Sequence, residues 1–275
     1  MRIARLELPD HSVTFARQHE DGKFTRLTGG PFGPFTDTGE SVEGRLLAPV
    51  VPSAILCIGL NYRKHAAESN SPLPKFPVLF VKSAGSARDP DEPILLPRRL
   101  RSDKVDYEAE LAVVISRAAK NITRDAAMDY ILGYTCANDV SARDWQKEGG
   151  GGQWCRGKSF DTFCPLGPVL VTPEEIPDPH ALRIACRVNG ETLQDWTTND
   201  MVFDVATIIE FLSSSTTLLP GTVILTGTPH GVGMARTPPR WLRSGDVTEI
   251  EIEKIGVLRN PVAEELAEEG RFKVA

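Results

Sequence analysis

The stretch Val105-Asp106-Tyr107-Glu108-Ala109-Glu110-Leu111-Ala112-Val113-Val114-Ile115 decides how this chain is read. At period two, Val105, Tyr107, Ala109, Leu111, Val113 and Ile115 form one apolar face, which predicts a β-strand. The other face carries Asp106, Glu108 and Glu110 before turning apolar at Ala112 and Val114. Side chains two apart on a strand point the same way, so these carboxylates crowd one side. Like charges so close are costly unless solvent or a cation compensates them. Further on, the apolar run 131–137 stops at Asn138-Asp139, which offers another carboxylate at a strand end. An all-oxygen set suits Mg²⁺ or Mn²⁺, with Ca²⁺ also admissible, rather than zinc. A solvated acidic strand face would carry the same residues, and the strand alone does not separate the two readings.

Working outward, a buried strand is expected within 51–60, and others at 77–82, 130–137, 167–172, 182–189, 222–226 and 247–253. Helical pattern is sparse: 123–130, 141–147 and 203–213, the last with Val205, Ile208, Ile209 and Leu212 on one face. The chain therefore reads as mainly β with few helices, an α+β class, its 21 prolines and 23 glycines marking many turns. Residues 1–50 read as a small β-rich N-terminal unit, and 51–275 as the catalytic domain. The run Gly149-Gly150-Gly151-Gly152 suits either a mobile loop over a site or a simple linker.

A net charge of −6 without a basic run gives no support to nucleic-acid or anionic-membrane binding, and no apolar stretch has transmembrane length. Five scattered cysteines, with Cys57 and Cys136 inside apolar runs, suggest buried thiols in a reducing compartment. A cytoplasmic or organelle-matrix enzyme fits this pattern; a secreted disulfide scaffold does not.

Other segments could carry chemistry. In Asn61-Tyr62-Arg63-Lys64-His65-Ala66-Ala67-Glu68, a helical turn would put His65 and Glu68 on one face. Such a pair can take a proton from water, and it can equally be a polar helix surface. Lys82 ends an apolar run, where it could hold a substrate carboxylate or snorkel to solvent. Arg156-Gly157-Lys158 would suit an anionic substrate or a developing oxyanion. In Thr226-Gly227-Thr228-Pro229-His230, hydroxyls and backbone N–H groups could line a carboxylate pocket, or make a tight turn. His230 is expected to face solvent.

In order along the chain, Ile58-Gly59-Leu60-Asn61-Tyr62 with His65 and Glu68, Asp106-Tyr107-Glu108-Ala109-Glu110, Asn138-Asp139-Val140-Ser141-Ala142-Arg143-Asp144, Gly157-Lys158-Ser159-Phe160-Asp161 and Thr226-Gly227-Thr228-Pro229 resemble the fumarylacetoacetate hydrolase family. Coverage runs from about residue 52 to 263, and the single-domain, short-chain branch is the best match. The resemblance implies a mixed β-sandwich roll, a homodimer, and one divalent cation per site. It places metal ligands at Glu108, Glu110 and Asp139, a water-activating dyad at His65 and Glu68, and a substrate-approaching lysine at Lys158. Substrate contacts fall at Arg143, Gln146 and Thr228, with Lys82 added from its strand-end position.

The expected reaction is hydrolysis of a C–C bond in a small anionic 2,4-diketo acid such as an acylpyruvate. It would pass through an enolate stabilised by the cation and Lys158. The alternative is decarboxylation or tautomerisation of an oxaloacetate-like or hydroxyhepta-dienedioate-like acid, with the dyad shuttling protons. A third reading, a metal-stabilised binding protein, is disfavoured by the intact set of acid, base and cationic residues.

Overall fold

The computed structural model describes residues 1–266; the last nine residues assigned above to the catalytic domain lie outside the described residues. The decisive stretch forms two strands rather than one. Val105–Asp106 pairs with Ser141–Ala142, and Ala109–Ile115 runs through the middle of the largest sheet. The break at Tyr107-Glu108 turns the backbone so that Glu108 O accepts from Asp139 N at 2.9 Å and Glu108 N donates to Asn138 Oδ1 at 3.0 Å. Beyond the break the predicted alternation holds. Leu111, Val113 and Ile115 enter one core, while Ala112 and Val114 enter a second core on the opposite face. A strand buried on both sides needs apolar residues at every position, which explains the switch after Glu110.

The large sheet runs Thr36–Val42, Phe24–Thr28, Val13–Gln18, Arg2–Glu7, Cys164–Val171, Ile131–Asn138, Ala109–Ile115, Thr222–Leu225, Ala54–Gly59, Val78–Lys82. Its pairings along this path are antiparallel except Thr222–Leu225 with Ala54–Gly59, which is parallel. A second sheet runs Glu191–Thr197, Arg183–Val188, Val247–Ile252, Gly256–Glu264, Ile94–Leu96. Leu111, Val113, Tyr134 and Cys136 of the first sheet share a core with Ile184, Cys186, Ile250, Ile252 and Leu258 of the second, so the two pack face to face. The first fifty residues join the large sheet through Arg2–Glu7, paired with Cys164–Val171.

Two of the expected helices take other forms. Arg124–Tyr130 is a 3₁₀ turn, and 141–147 divides into the short strand Ser141–Ala142 and a π-helical turn, Trp145–Gly149. Val205–Ser213 is α-helical as expected, with Val205, Ile208, Ile209 and Leu212 buried and Asp204 capping it through Thr207 N at 2.8 Å. Its N-terminal approach is tied to the site: Phe203 N donates to Asn61 Oδ1 at 2.8 Å, and Asn61 Nδ2 donates to the carbonyls of Phe203 and Thr226.

Candidate active site

The parallel pair Ala54–Gly59 and Thr222–Leu225 delivers two following segments to the same end of the sheet. After Ala54–Gly59 comes the short helix Arg63–Glu68, and after Thr222–Leu225 the loop bearing Gly227, Thr228 and Gly231. Gly227 adopts φ +100° and packs so closely on Asn61 that an added Cβ would lie 2.7 Å from the Asn61 Cβ. That conformation aims its N–H at Glu110 Oε2, 2.7 Å away.

Glu108, Glu110 and Asp139 are buried, and one carboxylate oxygen from each lies within 4.8 Å of the others. Their charges are not equally compensated. Arg143 Nη2 and Lys158 Nζ each approach Glu108 at 2.6 Å. Burial pushes the Glu108 carboxyl upward, but Arg143 and Lys158 together hold it well below its ordinary range. Asp139 receives Lys82 Nζ and Lys158 Nζ, both at 2.6 Å. Among the described residues Glu110 accepts from the Gly227 N–H alone, and burial followed by repulsion from Asp139 and Glu108 drives it well above the usual carboxylate range. A buried carboxylate with two acidic neighbours and no ion pair of its own fits a divalent cation, and the all-oxygen set fits a hard one.

This asymmetry sets a pH dependence. A carboxyl whose folded pKa is raised contributes stability fully below its unfolded value, about 4.3. That contribution is lost as pH rises through the folded value. Chelator-treated protein should therefore be destabilised by Glu110 as pH climbs, and Mg²⁺ should raise the melting temperature more at pH 8 than at pH 5.5. Thermal unfolding with and without Mg²⁺ at both values checks this; an equal shift at both would contradict it.

Lys158 stands on the four-residue helix Cys155–Lys158, packed so tightly on the preceding segment that a Cβ at Gly157 would lie 2.4 Å from Gln146 N. Burial lowers the basicity of Lys158, but Asp139 and Glu108 overcome this and hold its ammonium charged. Asp106 leaves the cluster expected from strand spacing. It accepts from the N–H groups of Tyr107, Gly233 and Met234 and from Arg143 Nε at 2.9 Å, and so anchors the guanidinium. Arg143 also donates to Gln146 Oε1 at 3.0 Å.

A cavity of about 190 Å³ opens beside these groups, lined by Glu108, Glu110, Arg143, Gln146, Lys158, His65 and Thr228. Ile58, Leu60, Phe80, Trp154 and Met234 add apolar lining to the same cavity. His65 Nδ1 meets Glu68 Oε1 at 2.7 Å, and Glu68 Oε2 accepts from Gly231 N at 2.9 Å. Glu68 thus stands behind His65, and the imidazole is the member of the pair that faces the cavity. Lys82, placed at the substrate by its strand-end position, lies elsewhere. Its ammonium is buried on Asp139 and the Val140 carbonyl, because the edge strand Val78–Lys82 points it inward beneath the carboxylates. His230, expected in solvent, packs edge-on against Trp196 with ring centroids 5.0 Å apart.

Sequence reasoning missed several groups. Gln194, on the unexpected strand Glu191–Thr197, donates to Thr228 Oγ1 and Pro229 O and accepts from Ala109 N, bridging the two halves of the site. No motif marks it. Trp154 and Lys147 reach the cavity from either side of the tetraglycine, and the possibility of a mobile loop there was their only signal.

Residues 54–263 match the sequence family described as "Fumarylacetoacetate (FAA) hydrolase C-terminal". The chain belongs to the fumarylacetoacetate hydrolase family. Residues 1–49 match a second description, "Rv2993c-like, N-terminal". A Xenopus laevis protein named oxaloacetate tautomerase fahd2, mitochondrial, is 53% identical over 218 residues, covering 79% of this chain and 68% of that one. A solved structure of 5-carboxymethyl-2-hydroxymuconate delta-isomerase from Mycobacterium smegmatis superposes with a TM-score of 0.85 at 40% identity, covering 96% of this chain and 100% of that one. Another, 2-hydroxyhepta-2,4-diene-1,7-dioate isomerase from Mycobacterium marinum, gives 0.83 at 40% identity, covering 96% and 99%. Within this family the mainly β fold is the shared one, and the chain is an enzyme. These relatives are named for isomerising chemistry, which favours the alternative reaction over the hydrolysis expected first. Among the described residues no helix is long and apolar enough to cross a membrane.

Proposed function

We propose that this enzyme interconverts keto and enol forms, or shifts a double bond, in a small 2-keto dicarboxylic acid of the oxaloacetate type. The observation that carries the reading is the cavity itself: Glu108 and Glu110 of the buried carboxylate triad line it, and an imidazole backed by a carboxylate faces the same space. A divalent cation held by Glu108, Glu110 and Asp139 would polarise the keto group and acidify the adjoining carbon.

With Nδ1 taken by Glu68, His65 has Nε2 for proton transfer at that carbon. Glu68 fixes the ring orientation and stabilises the imidazolium formed when the proton arrives. Return of the proton to the substrate oxygen completes enolisation, and no water is consumed. Lys158, held charged by Asp139 and Glu108, supports the developing oxyanion. Gln146 and Thr228 orient the substrate carboxylate, while Arg143, engaged by Asp106, Glu108 and Gln146, fixes Glu108. The apolar wall of Phe80 and Trp154 keeps water from the reacting carbon.

The test follows enol oxaloacetate at its ultraviolet band with Mg²⁺-loaded enzyme, while CO₂ and pyruvate are assayed in parallel. Faster loss of the band without either product supports the reading. CO₂ release would make the protein a decarboxylase. Preferential turnover of acetylpyruvate to pyruvate and acetate, with solvent oxygen in the acetate, would restore the hydrolytic reading.

A further inference from the structure

We propose that Lys147 is a specificity-determining residue that recognises the second carboxylate of a dianionic substrate. The inference rests on the isomerase reading for the end of the substrate held at the triad, and it adds the group that selects the other end. It starts from the charges sealed beneath the cavity. Asp106, Glu108, Glu110 and Asp139 are buried together with Lys82, Arg143 and Lys158, so the ionised set carries one negative charge in excess. A divalent cation reverses that to one positive charge, and a monoanionic acid then makes the site neutral. A dianion overshoots by one negative charge, which favours a further cation where its distal carboxylate lies.

Lys147 is the cation placed to meet that excess. The π-helical turn Trp145–Gly149 brings the consecutive residues Gln146 and Lys147 both to the cavity wall, where Gln146 is buried and Lys147 stays at the open rim. The other cavity cations are already committed, Arg143 to Asp106 and Glu108, and Lys158 to Glu108 and Asp139. Among the described residues no ion pair joins Lys147. Glu68 is held by His65 and the Gly231 N–H, and the adjoining Glu148 makes no ion pair with Lys147 among the described residues. Ser69 and Ser71 border the same cavity, their hydroxyls donating to the carbonyls of His65 and Ser69.

The experiment compares malate with lactate, which present the same 2-hydroxy acid end and differ in the distal carboxylate. Binding to Mg²⁺-loaded wild type, Lys147→Met and Lys147→Arg would be measured by calorimetry. Lys147→Met should weaken malate about 10- to 100-fold, the range of a charge-assisted contact, and leave lactate unchanged. Lys147→Arg should recover most of the loss. KM for oxaloacetate should rise in parallel, while its 4-methyl ester responds little. Equal effects on malate and lactate, or none on either, would overturn the assignment. Failure of the isomerase reading itself is distinguishable: wild type would then bind malate through Lys147 and still not interconvert oxaloacetate tautomers.

Discussion

His65→Gln should lower the rate of oxaloacetate tautomerisation by about 10²- to 10⁴-fold, the range for losing a positioned general base. Mn²⁺ should still bind as in wild type, since the imidazole belongs to the helix Arg63–Glu68 and not to the carboxylate triad. Glu68→Gln should give a comparable loss. One amide oxygen cannot accept from both the Gly231 N–H and His65 Nδ1; with its oxygen on Gly231, its NH2 donates to Nδ1 and leaves the hydrogen on Nε2, the wrong tautomer for a base. Rate and Mn²⁺ binding measured on the same preparations separate a proton-transfer role from a structural one. If both variants lost metal and rate together, the pair would be holding the site together and not moving the proton.

Asp139→Ala should have the largest effect on the fold. Its carboxylate accepts from two buried ammonium groups, Lys82 and Lys158, and neither has solvent to turn to. Removing one member of a buried charge network leaves uncompensated charge behind and costs about 3–5 kcal/mol. Urea unfolding of the chelator-treated variant measures this, and metal binding should be lost in parallel. Glu110→Gln makes the contrast. It also removes one of the three carboxylates proposed to hold the metal, but it relieves an acid raised by burial and by two like-charged neighbours, so the metal-free protein should become more stable. Destabilisation by both substitutions alike would mean that the carboxylates are compensated equally, contrary to their partners here.

The buried carboxylate cluster was legible in the sequence because a strand obliges alternate residues to share a face, and Glu108 and Glu110 obeyed this even across a break in pairing. Asp106 failed the same logic. The break after it rotated its carboxylate toward the backbone N–H groups of Gly233 and Met234, a partnership formed across nearly half the chain. Its strand-end position put Lys82 at the substrate because only the edge strand's own sequence was in view, and the carboxylate that buries it comes from residue 139. The strand Glu191–Thr197 escaped notice since its mixed charged pattern suits a sheet edge as well as a loop. Helix type was misjudged where helices were shortest: at 124–130 and 145–149 tertiary contacts, and not periodicity, set the turn. The long apolar helix face at Val205–Ser213 carried enough repeats to be read correctly.

The parallel pairing of Ala54–Gly59 with Thr222–Leu225 bears on how the chain reaches its working form. Antiparallel neighbours can zip from a hairpin, but Ala54–Gly59 must wait for Thr222–Leu225, and Glu68 for Gly231, 163 residues later. Closing so large a loop is entropically unfavourable until many contacts form at once, and high contact order slows folding. On the ribosome, the helix bearing His65 would emerge long before the loop that steadies it. Catalytic competence should therefore arise in one late step, after most of the β-structure has assembled.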